Sequence, residues 1–430
     1  MPDVVTTYSQ VSNDALTYWI AGEMIALADR NLVLGGLSKK HQLPQRMGTS
    51  LRVIRYKRFD LPAAPLTEGV TPDAVPLQNE HVTVALEQWG IVGILTDVAE
   101  ITTTHPALTA MIDRSSLAMA ETLERETATV LMSGTSVLYP GTVTARSGLA
   151  ASDKMTTPAV LKCIARLRAI AAPMYPQQLY RGVMAPQQEA DLLGTDTVFQ
   201  QARNFSNVRE LDMAEIGTWM GAKWQRSNFL PVFVGVATPD TGAATATKAQ
   251  YAVVVGGGSL AAGNYVLKVV ARSARTGYEH KVSQTSGNVV AALNDRITVT
   301  TPSSTSYVYD LYMSQVGGAI LYKVASRVAA STATTFSTQP AGTEAVAPVA
   351  PTSATEVFVA WLFGRDAFGT VELNGMSLQS YLTNKGASDS DPLAQRRKVG
   401  AKVMWKSFIL DNDFFVRLET GSSFPSTLAA

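Results

Sequence analysis

LRVIRYKRFDLPAAPLTEGVTPDAVPLQNEHVTVALEQW, residues 51 to 89, carries the pattern on which the fold turns. Its first part, Leu51 to Phe59, is β-like and basic, with Arg52, Arg55, Lys57 and Arg58. Its last part alternates Val82, Val84 and Leu86 against Thr83, Ala85 and Glu87, the period of a strand with two unlike faces. Between them stand four prolines, Pro62, Pro65, Pro72 and Pro76, which lack amide donors and interrupt any regular ladder. The pattern predicts two long strands joined by an irregular, proline-stiffened loop. Such a ribbon is too thin to bury its own apolar residues, so Leu61, Leu66, Val70, Val75 and Leu77 are expected to pack on a neighbouring chain.

Upstream, Leu16, Ile20, Met24 and Leu27 recur on one helical face after the capping candidates Ser12 and Asn13, and Gly35 and Gly36 are expected to stop that helix. Downstream, Pro106 opens a helix that runs to about Met132, roughly 40 Å long at 1.5 Å per residue. Leu108, Ile112, Met119, Leu123 and Val130 form its apolar stripe, and a helix of that length needs an extended neighbour to lie on. A second helix is expected from Pro158 to Ala171, with Val160, Ile164, Leu167 and Ala171 on one side and Cys163 inside it as a buried small hydrophobe.

From Ala237 the composition shifts to ATPDTGAATATKA, and TQPAGTEAVAPVAPTSAT spans Thr338 to Thr355; both are expected to be linkers. About seven short β-like runs lie between them, the pattern of an immunoglobulin or fibronectin type III sandwich. Tyr265, Leu267 and Val269 are expected on its inner face with Tyr309, Leu311 and Met313. The apolar runs FLPVFVGV before it and EVFVAWLFG after it are expected to pack in one body, so the sandwich reads as an insertion with its ends close together.

The 430 residues suffice for two or three domains, and 46% hydrophobic content excludes a disordered chain. The 36 basic and 35 acidic residues give no global field toward nucleic acid or a membrane. Charged residues make up 17% against about 25% in ordinary soluble chains, which suits a surface shared with other subunits. The single cysteine and the opening MPDVVTTYSQ point to synthesis in a reducing cytoplasm, and no apolar run reaches the ~18 residues of a membrane span.

The chemical motifs are weak. Gly256-x-Gly258-x-x-Ala261 has the spacing of a dinucleotide fingerprint with Glu279 as ribose acid, but Tyr265 follows too soon for the helix that motif requires, so a turn between strands is expected. His41, His81, His105 and His280 show no metal-ligand spacing. The pairs Asp389, Asp391 and Asp411, Asp413 lack the rest of a calcium loop and are read as turn or strand-end residues. Lys39 to Arg58 holds seven basic residues and no acidic one, which could grip phosphate; the favoured reading pairs them with acids of a neighbouring subunit. Nothing assembles an acid, a base and a nucleophile, so neither catalysis nor a cofactor or metal is expected.

Three segments, PAAPLTEGVTPDAVPL at Pro62 to Leu77, WLFGRDAFGTVEL at Trp361 to Leu373 and DPLAQRRKVGAKVMWKSFILDNDFFVRLE at Asp391 to Glu419, resemble tailed-bacteriophage major capsid proteins of the coliphage N-four type. The resemblance implies an α+β, Hong Kong ninety-seven-like capsid fold with an inserted all-β, immunoglobulin or fibronectin III-like sandwich. It would assign residues 1–48 to an N-arm, 49–96 to the extended loop and 97–156 to the peripheral domain with its spine helix. The axial domain would be 157–236 and 356–388, the insertion 237–355, and the peripheral return strand and C-terminus 389–430. Arg55, Lys57, Leu61, Leu66, Val70, Val75 and Leu77 of the extended loop would make intersubunit contacts. The implied function is structural: hexamers and pentamers closing into an icosahedral shell around double-stranded DNA held without sequence-specific binding. A separate scaffold, a portal and decoration proteins are the implied partners, with no membrane, and the implied location is the virion capsid, assembled in the bacterial host cytoplasm. A lysine–asparagine crosslink through Lys57 with Asn374 or Asn412 has no supporting motif. The alternative reading is an adhesion or capsid-decoration protein that binds a surface ligand through its immunoglobulin-like domain.

Overall fold

The long helix read from Pro106 runs from Ala107 to Met132. The computed structural model describes residues 33–56, 59, 65, 75–96, 107–197, 215–236, 249–273, 279–283, 285–351, 356–374, 378–382 and 395–424. The chain divides into two units, Met1–Leu123 with Phe368–Leu410, and Glu124–Ala367 with Asp411–Ala430. The amphipathic helix expected from Leu16 to Leu27 lies outside the described residues. Gly35 and Gly36 sit inside a single helical turn, Leu34–Leu37.

In the first unit the strand Arg396–Ile409 is the hub. It pairs antiparallel with Glu87–Thr96, Gln379–Leu382 and Phe368–Leu373, and the last of these also pairs in parallel with Lys39–Leu43. Alternation sends Val399, Ala401, Val403 and Trp405 to one face, where they meet Ile112, Met119 and Leu123 of the long helix. The strand repeat of two and the helix repeat of 3.6 thus converge on one seam. Gly93 permits the close approach, since a Cβ there would lie 2.7 Å from the Met111 sulfur. A two-stranded ribbon, Ser50–Tyr56 against Asn79–Ala85, completes this unit.

In the second unit the strand Glu356–Phe363 is the centre. Val357 to Phe363 are all buried, and the strand pairs with Val232–Val236, Tyr180–Met184 and Phe415–Thr420. A run this apolar is the signature of a strand covered on both faces. On one face the helix Thr157–Ala169 packs through Val160, Cys163, Ile164 and Leu167 against Tyr180, Trp224, Ala360 and Leu362. Ala171, expected on the buried side, instead leaves the helix with φ +53° and is exposed. The runs FLPVFVGV and EVFVAWLFG do pair, Glu356 opposite Val234 and Phe358 opposite Val232.

Three sequence-based boundaries shift. The tail from Val399 to Leu418 is not one return strand: a turn in which the Asp413 amide donates to Asp411 Oδ1 breaks it, and Phe415–Thr420 enters the sheet of the second unit. Phe368–Leu373, expected in the axial domain, instead pairs with Lys39–Leu43 and Arg396–Ile409. Glu87–Thr96, assigned to the extended loop, is a sheet strand of the first unit because its whole length pairs with Arg396–Ile409.

Residues 250–336 form nine short strands where seven were read, because the run NYVLKVVAR splits at Val266 and Val289–Ala291 forms a further strand. Tyr265, Leu267 and Val269 share one core with Tyr309, Leu311, Met313, Ile297 and Val299, as the alternation predicted. The opposite face is also covered, with Lys268 and Val270 buried. The insertion is not joined by linkers alone: Glu279–Ser283 pairs in parallel with Val232–Val236, carrying one hydrogen-bonded sheet from the inserted strands into the central strand. The stretch read as a second linker is fixed by backbone bonds, from Lys323 to Ala345 and from Ala347 to Leu321.

Gly182 lies under the buried Trp224 indole, where an added Cβ would overlap the ring. Gly182→Val is expected to lower stability by about 1–3 kcal/mol through overpacking. Denaturant unfolding followed by tryptophan fluorescence checks this, with a lower midpoint and an unchanged slope as the expected outcome.

Candidate assembly surface and buried charge cluster

The ribbon carries the sequence-predicted contact residues. Its register sets Arg52 opposite Thr83 and Arg55 opposite Glu80. At its base Leu51, Val53 and Val84 pack with Leu43, Leu86, Val371 and Phe408, which anchors it to the sheet. Toward its tip that cover ends: Ile54 is 54% exposed and Tyr56 64%, and Phe59, Val75 and Leu77 are exposed to a similar degree. An isolated two-stranded hairpin is at best marginally stable in water, so an apolar tip of this kind calls for a covering surface.

Of the seven expected contact residues, the structure describes Arg55, Val75 and Leu77; Lys57, Leu61, Leu66 and Val70 lie outside the described residues. Arg55 was expected to meet acids of a neighbouring subunit, but its Nη2 lies 2.8 Å from Glu80 Oε2 of its own chain. Arg52 contacts the His81 ring across the same ribbon. The basic segment is therefore partly neutralised along its own partner strand, at pairs exposed enough to contribute little to stability.

Several other sites of possible chemistry read from the sequence resolve into structural roles, while His105, Asp389 and Asp391 lie outside the described residues. Gly256 and Gly257, both near φ +73°, turn the chain between strands Gln250–Val254 and Gly263–Tyr265, with the Gly256 amide bonded to Asp295. His41 stacks at a tilt on Phe408, ring centroids 5.8 Å apart. Cys163 is buried, and burial pushes its thiol up to about 12, far from a nucleophile's range. Among the described residues no group of three metal-ligating side chains comes together, and no helix is long and apolar enough to cross a membrane.

Sequence reasoning missed a buried charge cluster in the second unit. Arg146 grips Glu419 through Nε, 2.8 Å from Oε2, and through Nη2, while Arg417 Nε lies 2.9 Å from Glu419 Oε1. Arg146 also donates to the Val349 carbonyl and covers the Phe233 ring at 3.7 Å, and Arg417 donates to the Met132 carbonyl at the end of the long helix. Burial would raise the Glu419 carboxyl, but Arg146 and then Arg417 outweigh it and hold the group below its ordinary 4.5. The signal was present in FFVRLE, where two charged residues two apart share one face of an otherwise apolar strand.

No protein-family model and no curated protein matches the sequence. Solved structures do. A chain from the capsid of Ralstonia phage GP4 superposes with TM-score 0.50 at 11% identity, over 91% of this chain and 88% of that one. A chain from the capsid of cyanophage P-SCSP1u gives 0.49 at 13% identity, over 92% and 90%, and one from the capsid of cyanophage Pam1 gives 0.46 at 12%, over 89% and 87%. The fold is similar to that of the Ralstonia phage capsid chain.

Glu419→Gln should cost about 3–5 kcal/mol, because two buried guanidinium groups lose their common counter-charge. A carboxyl held below its unfolded value contributes stability that is complete above pH 4.5 and lost as pH falls through the folded value. Thermal melts across the acid range should show a decline below pH 4.5 that is smaller in Glu419→Gln, since that variant has no such group to titrate.

Proposed function

We propose that this chain is the major capsid protein of a tailed double-stranded DNA bacteriophage, of the coliphage N-four type and with a Hong Kong ninety-seven-like fold. Copies would form hexamers and pentamers that close into an icosahedral shell. The observation that carries the reading is the ribbon: in a single chain its apolar tip has no cover, with Ile54, Tyr56, Phe59, Val75 and Leu77 all exposed. A neighbouring copy is the surface such a tip fits, and the likeness to a phage capsid chain over nine-tenths of the length agrees with it. On this reading Ser50–Tyr56 and Asn79–Ala85 are the extended loop, and Ala107–Met132 is the spine helix lying on the return strand Arg396–Ile409. The helix Thr157–Ala169 with the strands around Glu356–Phe363 is the axial domain, and residues 250–336 are an immunoglobulin-like insertion. A separate scaffold and portal, decoration proteins and packaged DNA are the partners, the virion is the location, and assembly takes place in the bacterial cytoplasm.

Negative-stain images of purified protein test the proposal: shells or capsomers support it, and discrete monomers favour the adhesion or decoration reading. Deleting residues 63–75 should leave a folded chain that forms no shells. Arg55→Glu together with Lys57→Glu should weaken assembly without DNA present, since the first change sets two carboxylates opposite each other at residues 55 and 80. Unaltered empty shells with poorer DNA retention would assign these charges to phosphate contacts instead.

A further inference from the structure

We propose that the second unit contains a binding site for a small free oxyanion of the phosphate class, in the cavity where the inserted strands meet the end of the long helix. The cavity is about 420 Å³ and is lined by Arg146, Arg272, Lys323 and Arg417, together with Tyr312 and the segment Ala345 to Val349. Four cations therefore line one half-open cavity. Among the described residues, two carboxylates contact them. Glu419 is shared by Arg146 and Arg417, and Asp310 by Arg272, at 2.8 Å, and Lys323, at 3.2 Å.

Four cations against two carboxylates leave two positive charges without an anionic contact of their own. In water such an excess is cheap, but these groups are largely removed from it: the Arg146 and Arg417 side chains are buried, Arg272 is 11% exposed and Lys323 24%. Buried charge is ordinarily paired, and a site that gathers like charges without full compensation is one that an anion stabilises. Two details aim the cluster at a ligand. Arg272 Nε is buried and makes no hydrogen bond among the described residues, which leaves one donor of its fork unused there. Lys268 adds a fifth cation nearby, its Nζ donating to the carbonyl of Pro348 on the cavity wall, 2.9 Å away. Burial, and then the charge of Arg146, lower that amine to about 8.

The chemistry selects the ligand class. Guanidinium forks match the oxygens of a tetrahedral or planar oxyanion, and burial of three of the four lining cations excludes a duplex backbone. A bound oxyanion would tie the strand Leu267–Ser273, the strand Leu321–Val328, the strand Phe415–Thr420 and the loop at Arg146 together. The first two strands belong to the insertion and Phe415–Thr420 pairs with the central strand, so the ion would brace them beside the Glu279–Ser283 pairing. The inference does not rest on shell formation, since every group named belongs to one chain.

Phosphate titrated into the full chain, with chloride holding ionic strength constant, tests it by thermal unfolding. A saturable rise in Tm of about 3–6 °C is expected, as for any ligand that binds only the native state. Lys323→Gln should abolish most of that rise while leaving Arg272 on Asp310, and Arg272→Met should abolish most of it while leaving Lys323 on Asp310; if Arg272→Met fails to fold, Lys323→Gln carries the test alone. A response no larger than that to chloride, or an equal response in Lys323→Gln, would overturn the site. So would a reconstruction of assembled particles in which a carboxylate of a neighbouring copy fills the cavity, because the occupant would then not be a free anion.

Discussion

The second unit depends on one strand that must satisfy its backbone along both edges, with three neighbouring strands. Glu356–Phe363 is apolar on both faces, so water cannot serve its amides and carbonyls, and each must find a neighbouring strand. Val232–Val236, Tyr180–Met184 and Phe415–Thr420 answer that demand, and each brings further structure with it. Val232–Val236 brings the inserted strands through Glu279–Ser283, Tyr180–Met184 brings Ala222–Arg226, and Phe415–Thr420 brings Glu419 to Arg146. The apolar helix Thr157–Ala169 then closes one face. The ribbon in the first unit shows the opposite condition: its backbone bonds are made within the pair of strands, while its apolar tip is left uncovered.

Those two conditions set the central strand and the ribbon apart. A strand buried on both faces resists local opening, because exposing it breaks three ladders at once. A thin ribbon gains little from its own chain and most from whatever covers it. Charged residues are few, 17% of the chain. Some of the charges are paired within the chain, as at Arg55 with Glu80 and Arg146 with Glu419.

Local pattern was legible and partner choice was not. The two strands of the ribbon, the helix to Met132, the buried Cys163 and the glycine turn at Gly256 all follow from spacing and turn chemistry within a few residues of the chain. The pairing of the two apolar runs around the insertion was legible too, since both are apolar and neither could remain exposed. Which sheet a strand joins was not, because alternation in Phe368–Leu373 or Phe415–Thr420 looks the same in either unit. The segment after Thr338 read as a linker because small, uncharged residues look alike whether free or fixed by their backbone, as Ala345 and Ala347 are. Arg146 and Glu419 are 273 positions apart, and no local rule connects them.

Hydrogen–deuterium exchange on unassembled chain and on purified particles tests the central claim, that the ribbon is completed by another copy. Exchange at residues 50–56 and 75–85 should slow markedly on assembly, while Val357 to Phe363 should be strongly protected in both states. Equal exchange of the ribbon in chain and particle would contradict the account, because the exposed apolar tip would then not be the surface that assembly covers.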